Sequence, residues 1–281
     1  MSHFFICVCS RCTAVFLTAE MAVPCTIIMA GVGVIASILP IYYLSGSSPP
    51  PPDPIPLNMV PEAVDDKYEG CTEEMEKKVK STYFKKENVG TLKMVWEKCS
   101  KIKHPEDEAL TINHMLAICV YTSDDIYAEF NQAVRTGKSI YGSTFPFHSL
   151  HYWLTTAIQI LHRNQKKQDC QTAYRKTNKE FTGKVNDIIR FGMFASSSKR
   201  TNLTDFGDKT CFKIETCSGA YLKHYSLYPD QEEVLIPPYE KFKITKIIKG
   251  RGKFPDLEDC EKVFVLVSTR DQSNLNCKAA H

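Results

Sequence analysis

The sequence predicts an α+β fold in which a helical N-terminal part precedes a run of short strands. Between about Glu73 and Leu161, apolar residues recur at helical spacing. From about Thr172 onward they fall in short β-like runs broken by Gly, Asn, Asp and Pro. Helices grouped before strands, without alternation, argue against a parallel α/β fold. The chain also has neither a Gly-x-Gly-x-x-Gly turn nor a phosphate loop ending in Gly-Lys-Ser, so the common nucleotide-binding folds lack their signal.

The first element is an uncharged stretch from Met21 to Leu44, rich in Ile, Val, Ala and Leu. It is about long enough to span a bilayer, although Pro24 and Pro40 shorten its helical part. Ser45 and Ser47 follow as a small-x-small cleavage site, so a cleaved signal and an uncleaved anchor both remain open for residues 1–47. Pro49 to Pro52, with Pro54 and Pro56, read as an extended stalk over 48–59, ahead of a folded domain over 60–281. The final residues carry no hydrophobic tail, so a lipid-anchor signal is not expected.

In the helical part, Leu110, His114, Ala117 and Ile118 share one face. Leu150, Trp153, Leu154, Ala157, Ile158 and Leu161 share another, and an aromatic stripe of this kind reads as core. Glu73 and Glu74 ahead of lysines suit the start of a helix. The strand candidates are Ile188 to Phe194, Cys211 to Thr216, Glu233 to Ile236, Phe242 to Ile248 and Lys262 to Val267. In the last of these Val263, Val265 and Val267 alternate with Phe264 and Leu266, as in a strand with two different faces.

Composition narrows the setting. With 43% hydrophobic and 24% charged residues the 281-residue chain is ordinary globular material, and a net charge of +3 gives no sign of a nucleic-acid surface. Of the 12 cysteines, Cys71, Cys99, Cys119, Cys170, Cys211, Cys217, Cys260 and Cys277 lie beyond the N-terminal segment. None forms a Cys-x-x-Cys and no histidines cluster beside them, so disulfides are expected and no metal site is. Disulfides, the hydrophobic leader and the Asn202-Leu203-Thr204 glycosylation sequon together point to a secreted or signal-anchored extracellular glycoprotein. Membrane contact is expected only through the N-terminal segment.

Three segments carry candidate chemistry: Cys170 to Asn178, containing Arg175; Arg190 to Ser198, ending in consecutive serines; and Tyr228 to Pro238, containing Gln231-Glu232-Glu233 ahead of Val-Leu-Ile-Pro-Pro. Each alone could be a surface ion pair or a solvated turn. Together, and in this order, they resemble the arginine-specific ecto-ADP-ribosyltransferases of vertebrate cell surfaces. That family's signature is an arginine on one strand, Ser-x-Ser on the next and Glu-x-Glu before a Val-Leu-Ile-Pro run. The resemblance extends from about Tyr68 to Cys277, including Phe145 to Leu154 and the closing Ser273-Asn274-Leu275-Asn276-Cys277.

The resemblance implies a two-sheet NAD-binding core behind a helical N-terminal part, with NAD or NADP as substrate and no permanently bound cofactor. Arg175 would hold the phosphates, Ser196 would orient the nicotinamide ribose and the catalytic acid, and Phe206 would stack on nicotinamide. Glu233 would stabilise the charge that builds as nicotinamide leaves. Target-protein arginines would be the acceptors. Family knowledge also implies Cys71–Cys277 and Cys170–Cys217 bridges and suggests Cys211 with Cys260, leaving Cys99 and Cys119 unassigned.

Two positions depart from the pattern. Lys176 stands where the family usually has glycine after its arginine, and Gln231 stands at the first Glu of Glu-x-Glu, the acceptor-selecting position. If Gln231 to Glu233 were strand, Gln231 and Glu233 would share a face and Glu232 would point away. A neutral amide cannot pair with a guanidinium as a carboxylate does. This opens an NAD glycohydrolase on the same scaffold as the alternative. A silent surface-binding protein is the other, and intact Arg175, Ser196 and Glu233 argue against it.

Overall fold

A computed structural model describes residues 53–104, 109–165 and 170–281. The signal or anchor expected over 1–47 and the first proline run of the stalk lie outside these residues. Ile55–Pro56 (β1) already pairs in parallel with Phe181–Thr182 (β3), the Ile55 and Leu57 amides each donating at 2.8 Å to Glu180 and Thr182 carbonyls. Residues 55–56, within the stretch expected as stalk, are therefore strand-paired with the folded part. Pro56 is tolerated because it sits on an edge strand, where no ladder donor is needed from it.

The helical part opens with α1 (Thr72–Lys78), which passes through a π-helical turn, Val79–Tyr83, into α2 (Phe84–Glu87). Glu73 and Glu74 fall in its first turn, with Lys77 and Lys78 at the other end, as the helix dipole favours. Next come α3 (Gly90–Ser100), α4 (Ile112–Thr122), α5 (Tyr127–Thr136) and α6 (His148–Arg163). Helix α6 is buried on almost every side, and Trp153 packs against Trp96 and Phe84, so the aromatic stripe is core. His114 is buried as well. Its Nδ1 accepts the Thr111 amide at 3.1 Å and its Nε2 meets Thr156 Oγ1 at 3.0 Å, tying α4 to α6. Burial lowers its pKa to about 4, so it is a neutral structural link.

The strands form one eight-stranded sheet in the order β4-β9-β10-β6-β2-β5-β8-β7, with β1 and β3 as a small second sheet. The large sheet comprises β2 (Gln171–Thr177), β4 (Ile188–Arg190), β5 (Ala195–Ser198), β6 (Thr210–Thr216), β7 (Ala220–Tyr221), β8 (Glu233–Ile236), β9 (Glu240–Lys249) and β10 (Lys262–Asp271). Its pairings are antiparallel except β10 with β6. One apolar cluster joins the helices to one end of this sheet. A second, including Phe212, Ile214, Phe242, Ile244, Phe264 and Leu266, lies where Leu57 and Phe181 of the small-sheet region pack.

The strand expected over Ile188 to Phe194 stops at Arg190. Arg190 is fully buried, donating to Asp65 at 2.6 Å and to the Met59, Val60 and Gln272 carbonyls. Gly192 then takes a φ of +65°, and a Cβ there would meet the Val60 side chain at 2.5 Å. The chain therefore turns before β5 begins.

Asp65 also accepts from the Asn274 and Leu275 amides, at 2.8 and 3.0 Å, and so pins the closing segment to the domain's start. Cys71–Cys277 locks the same junction covalently. Cys170–Cys217 and Cys211–Cys260 also form, and Cys99–Cys119 joins α3 to α4. Among the described residues no helix is long and apolar enough to cross a membrane.

Candidate active site

The sheet order brings the three sequence segments together. β2, β5 and β8 are consecutive neighbours, with Tyr174 opposite Ser198, Ser196 opposite Leu235 and Ser198 opposite Glu233. Arg175, Ser196 and Glu233 thus arise from three adjacent strands and open into one cleft of about 540 Å³. Phe206 and Gln231 line the same cleft, so all five predicted side chains are gathered at one site.

The guanidinium of Arg175 donates to the Ser196 carbonyl, which orients its planar fork on the neighbouring strand. Ser196 Oγ lies 3.1 Å from the phenol of Tyr121, whose proton goes to the Phe194 carbonyl at 2.8 Å. Asn131 Nδ2 donates to that phenol at 3.3 Å. Glu233 is only 7% exposed and accepts from Ser226 Oγ at 3.1 Å. Burial raises its pKa above the usual carboxylate value. Hydrogen bonds from Ser196 and Ser226 and the charge of Arg175 pull the other way. A shielded carboxylate beside a hydroxyl and a permanent cation is a setting for stabilising charge that appears only during reaction.

Gln231 and Glu233 both face the cleft and Glu232 does not, but strand alternation is not the cause. Pro229–Gln231 form a 3-10 turn and Glu232 adopts the left-handed conformation, φ 47° and ψ 49°; the strand begins only at Glu233. Proline starts the turn with its φ already set, and the left-handed residue swings the chain so that its neighbours point one way. The turn is held from β5: Ser198 Oγ donates to the Gln231 carbonyl at 2.5 Å, and the Lys199 amide donates to the Glu232 carbonyl at 3.1 Å. Arg200 Nη1 adds a third tie, to the Asp230 carbonyl at 2.7 Å. Ser197 Oγ bonds the Val234 carbonyl at 2.7 Å. The serines therefore act largely on the backbone of the acidic segment.

Lys176, the departure beside Arg175, has its ammonium on Asp259 at 2.7 and 2.9 Å, so its charge is compensated locally. Phe206 lies at the end of a 3-10 turn, Thr204–Phe206, half exposed at the rim. Asn202 is exposed on the same loop, and its side-chain oxygen accepts from Arg200 Nε at 3.1 Å. Among the described residues no group of three or more His, Cys, Asp or Glu is placed to hold a metal.

Sequence reasoning did not single out Tyr121, Ser226 or Asp124. A tyrosine in the last turn of an otherwise mostly apolar helix was the available signal for Tyr121. For Ser226 and Asp124 only tertiary proximity reveals a role.

Residues 57–259 match the family described as NAD:arginine ADP-ribosyltransferase. The chain is 38% identical over 240 residues to ecto-ADP-ribosyltransferase 5 of Bos taurus, covering 79% of this chain and 73% of that one. It is 36% identical over 239 residues to T-cell ecto-ADP-ribosyltransferase 1 of Rattus norvegicus, covering 80% of each. A crystal structure of a mutant eukaryotic mono-ADP-ribosyltransferase, ART2.2, in complex with NADH superposes with a TM-score of 0.66 at 33% identity. The superposition covers 80% of this chain and 99% of that one. With the arginine, serine and glutamate converging on one cleft and these likenesses spanning most of the folded part, the chain belongs to the NAD:arginine ADP-ribosyltransferase family and is an ADP-ribose-transferring enzyme with NAD as its substrate.

Proposed function

We propose that this enzyme cleaves the nicotinamide–ribose bond of NAD or NADP at the extracellular face of the cell and passes ADP-ribose to a protein arginine, with water competing as acceptor. The observation that carries this reading is the convergence of Arg175, Ser196 and Glu233 from adjacent strands on one cleft. Arg175 binds the diphosphate through its fork. Ser196 sets the ribose and Glu233, and Phe206 stacks on nicotinamide from the rim. As the glycosidic bond breaks, its electron pair leaves with neutral nicotinamide and the positive charge falls on the ribose. Glu233, ionised and shielded from water, faces that charge.

The competition from water follows from Gln231. A charge-assisted hydrogen bond contributes about 1.5–3 kcal/mol, roughly ten- to more than a hundredfold in rate when made only in the transition state. Gln231 withholds that charge from a guanidinium and costs water nothing, which favours hydrolysis. The test is to incubate the purified protein with NAD, with and without the arginine analogue agmatine, and to follow nicotinamide release and adduct. Release with adduct supports transfer, release without adduct indicates a glycohydrolase, and no release overturns both.

The compartment belongs to the same reading. The relatives are named as ecto-enzymes and the four bridges suit an oxidising route. A secreted or signal-anchored chain would carry a glycan on Asn202. Non-reducing mass spectrometry of secreted protein should recover Cys71–Cys277 and Cys170–Cys217 as linked peptides; eight free thiols would overturn the extracellular assignment.

A further inference from the structure

The neutral residue at 231 leaves that side of the cleft without the carboxylate that the proposed acceptor needs, and the loop after α4 supplies one. Among the residues lining the cleft, the carboxylates are Glu233 and Asp124. Glu233 is buried and engaged by Ser226 and Ser196. Asp124 is exposed, in the loop just beyond the end of α4.

Its surroundings set it apart from its neighbour. Asp125 is paired with Lys98 at 3.2 Å and does not line the cleft, whereas no lysine or arginine among the described residues pairs with Asp124. Asp124 Oδ2 accepts from the phenol of Tyr228 at 3.3 Å. Tyr228 opens the turn whose other end is Gln231, since the Gln231 amide donates to the Tyr228 carbonyl at 3.0 Å. A second link, from the Leu227 amide to Thr122 Oγ1 at 3.2 Å, ties the same two segments together. Asp124 is thus an exposed carboxylate with no lysine or arginine paired to it among the described residues, held by one hydrogen bond at the edge of the turn that presents Gln231.

We infer that Asp124 is the acceptor-binding carboxylate of this chain, receiving the guanidinium of the incoming arginine in place of the charge missing at Gln231. This rests on the proposed transfer reaction. The guanidinium donates to Asp124, and the Gln231 amide oxygen accepts a second N–H, so the acceptor is gripped from both segments beside the reacting ribose. The class of ligand is a side chain bearing a planar cation; a neutral acceptor gains nothing from Asp124.

The test uses the full chain as wild type, Asp124→Asn, Asp124→Glu and Asp125→Asn. With NAD and agmatine, the readout is the ratio of adduct to free ADP-ribose, each variant's hydrolysis without agmatine serving as its baseline. A second readout is agmatine affinity by calorimetry in the presence of carba-NAD, whose ring oxygen is replaced by carbon so that no oxocarbenium ion forms. Asp124→Asn is expected to lower both the ratio and the affinity at least fivefold, Asp124→Glu to restore part of each, and Asp125→Asn to change neither. Values within twofold of wild type for Asp124→Asn, or an equal loss in Asp125→Asn, overturn the assignment. If the wild type releases no nicotinamide, the proposed reaction fails on its own account, and the calorimetric arm still decides whether Asp124 binds the cation.

Discussion

The two sides of the cleft are built differently. Arg175, Ser196 and Glu233 lie on strands whose places are set by ladders running through the sheet interior. Gln231 lies one turn outside that ladder, held by three bonds from the end of β5, while Asp124 is held by a single phenol. A ladder cannot shift by one residue without turning every side chain to the other face, so the side proposed to cleave the bond tolerates little change. A short turn held by side-chain and backbone bonds can change its residues while the sheet beneath stays as it is. On the proposed reading, NAD cleavage and acceptor choice therefore rest on separately held parts of the cleft.

The largest effect is expected at Glu233. Glu233→Gln keeps the shape and removes the charge, and nicotinamide release is expected to fall by about two to three orders of magnitude. NAD affinity should move far less, which separates a catalytic loss from a binding one. The pH profile carries the same point. Only the ionised carboxylate opposes the developing cation, and burial raises its pKa. Activity must therefore be lost as pH falls through a value above the ordinary glutamate range. Removing the Ser226 hydrogen bond, which lowers that pKa, should move the acid limb of kcat/KM upward in Ser226→Ala. An acid limb at the ordinary glutamate value would show that Glu233 is solvated in the working enzyme.

Next in size is the turn. Gln231→Glu places a carboxylate opposite an incoming guanidinium and is expected to raise the ratio of arginine adduct to hydrolysis at least tenfold. An unchanged ratio would mean that acceptor selection lies elsewhere, and that hydrolysis is not favoured by residue 231. Ser198→Ala removes one bond on the Gln231 carbonyl, worth about 1 kcal/mol, and should lower that ratio about fivefold. A larger loss in NAD cleavage than in the ratio would show that the turn and the strands are one unit. The smallest effect is expected at Glu232, which points out of the cleft: Glu232→Gln should leave nicotinamide release within about twofold, as for a surface substitution. Equal losses at Glu232 and Glu233 would contradict the left-handed turn.

Much of this molecule is settled by neighbours in the chain. Periodicity separates the helical part from the strands because burial on one face demands it, and α4, α6, β6, β8 and β10 fall close to where their patterns lie. The three motifs and the scattered cysteines are likewise local facts, legible before any fold is known. What the tertiary structure decided is adjacency. Sheet order, not sequence order, makes neighbours of β2, β5 and β8, and it brings Tyr121 and Asp124 from the helical part to residues more than seventy positions away. It also turned Gln231–Glu232 out of the strand that alternation suggested: Glu232 is left-handed, and bonds from Ser198 and Lys199 to the Gln231 and Glu232 carbonyls hold the turn. Local pattern chooses an element because its energetics involve residues a few positions apart. A site is assembled by contacts between elements, and those depend on how the whole chain buries its apolar faces at once.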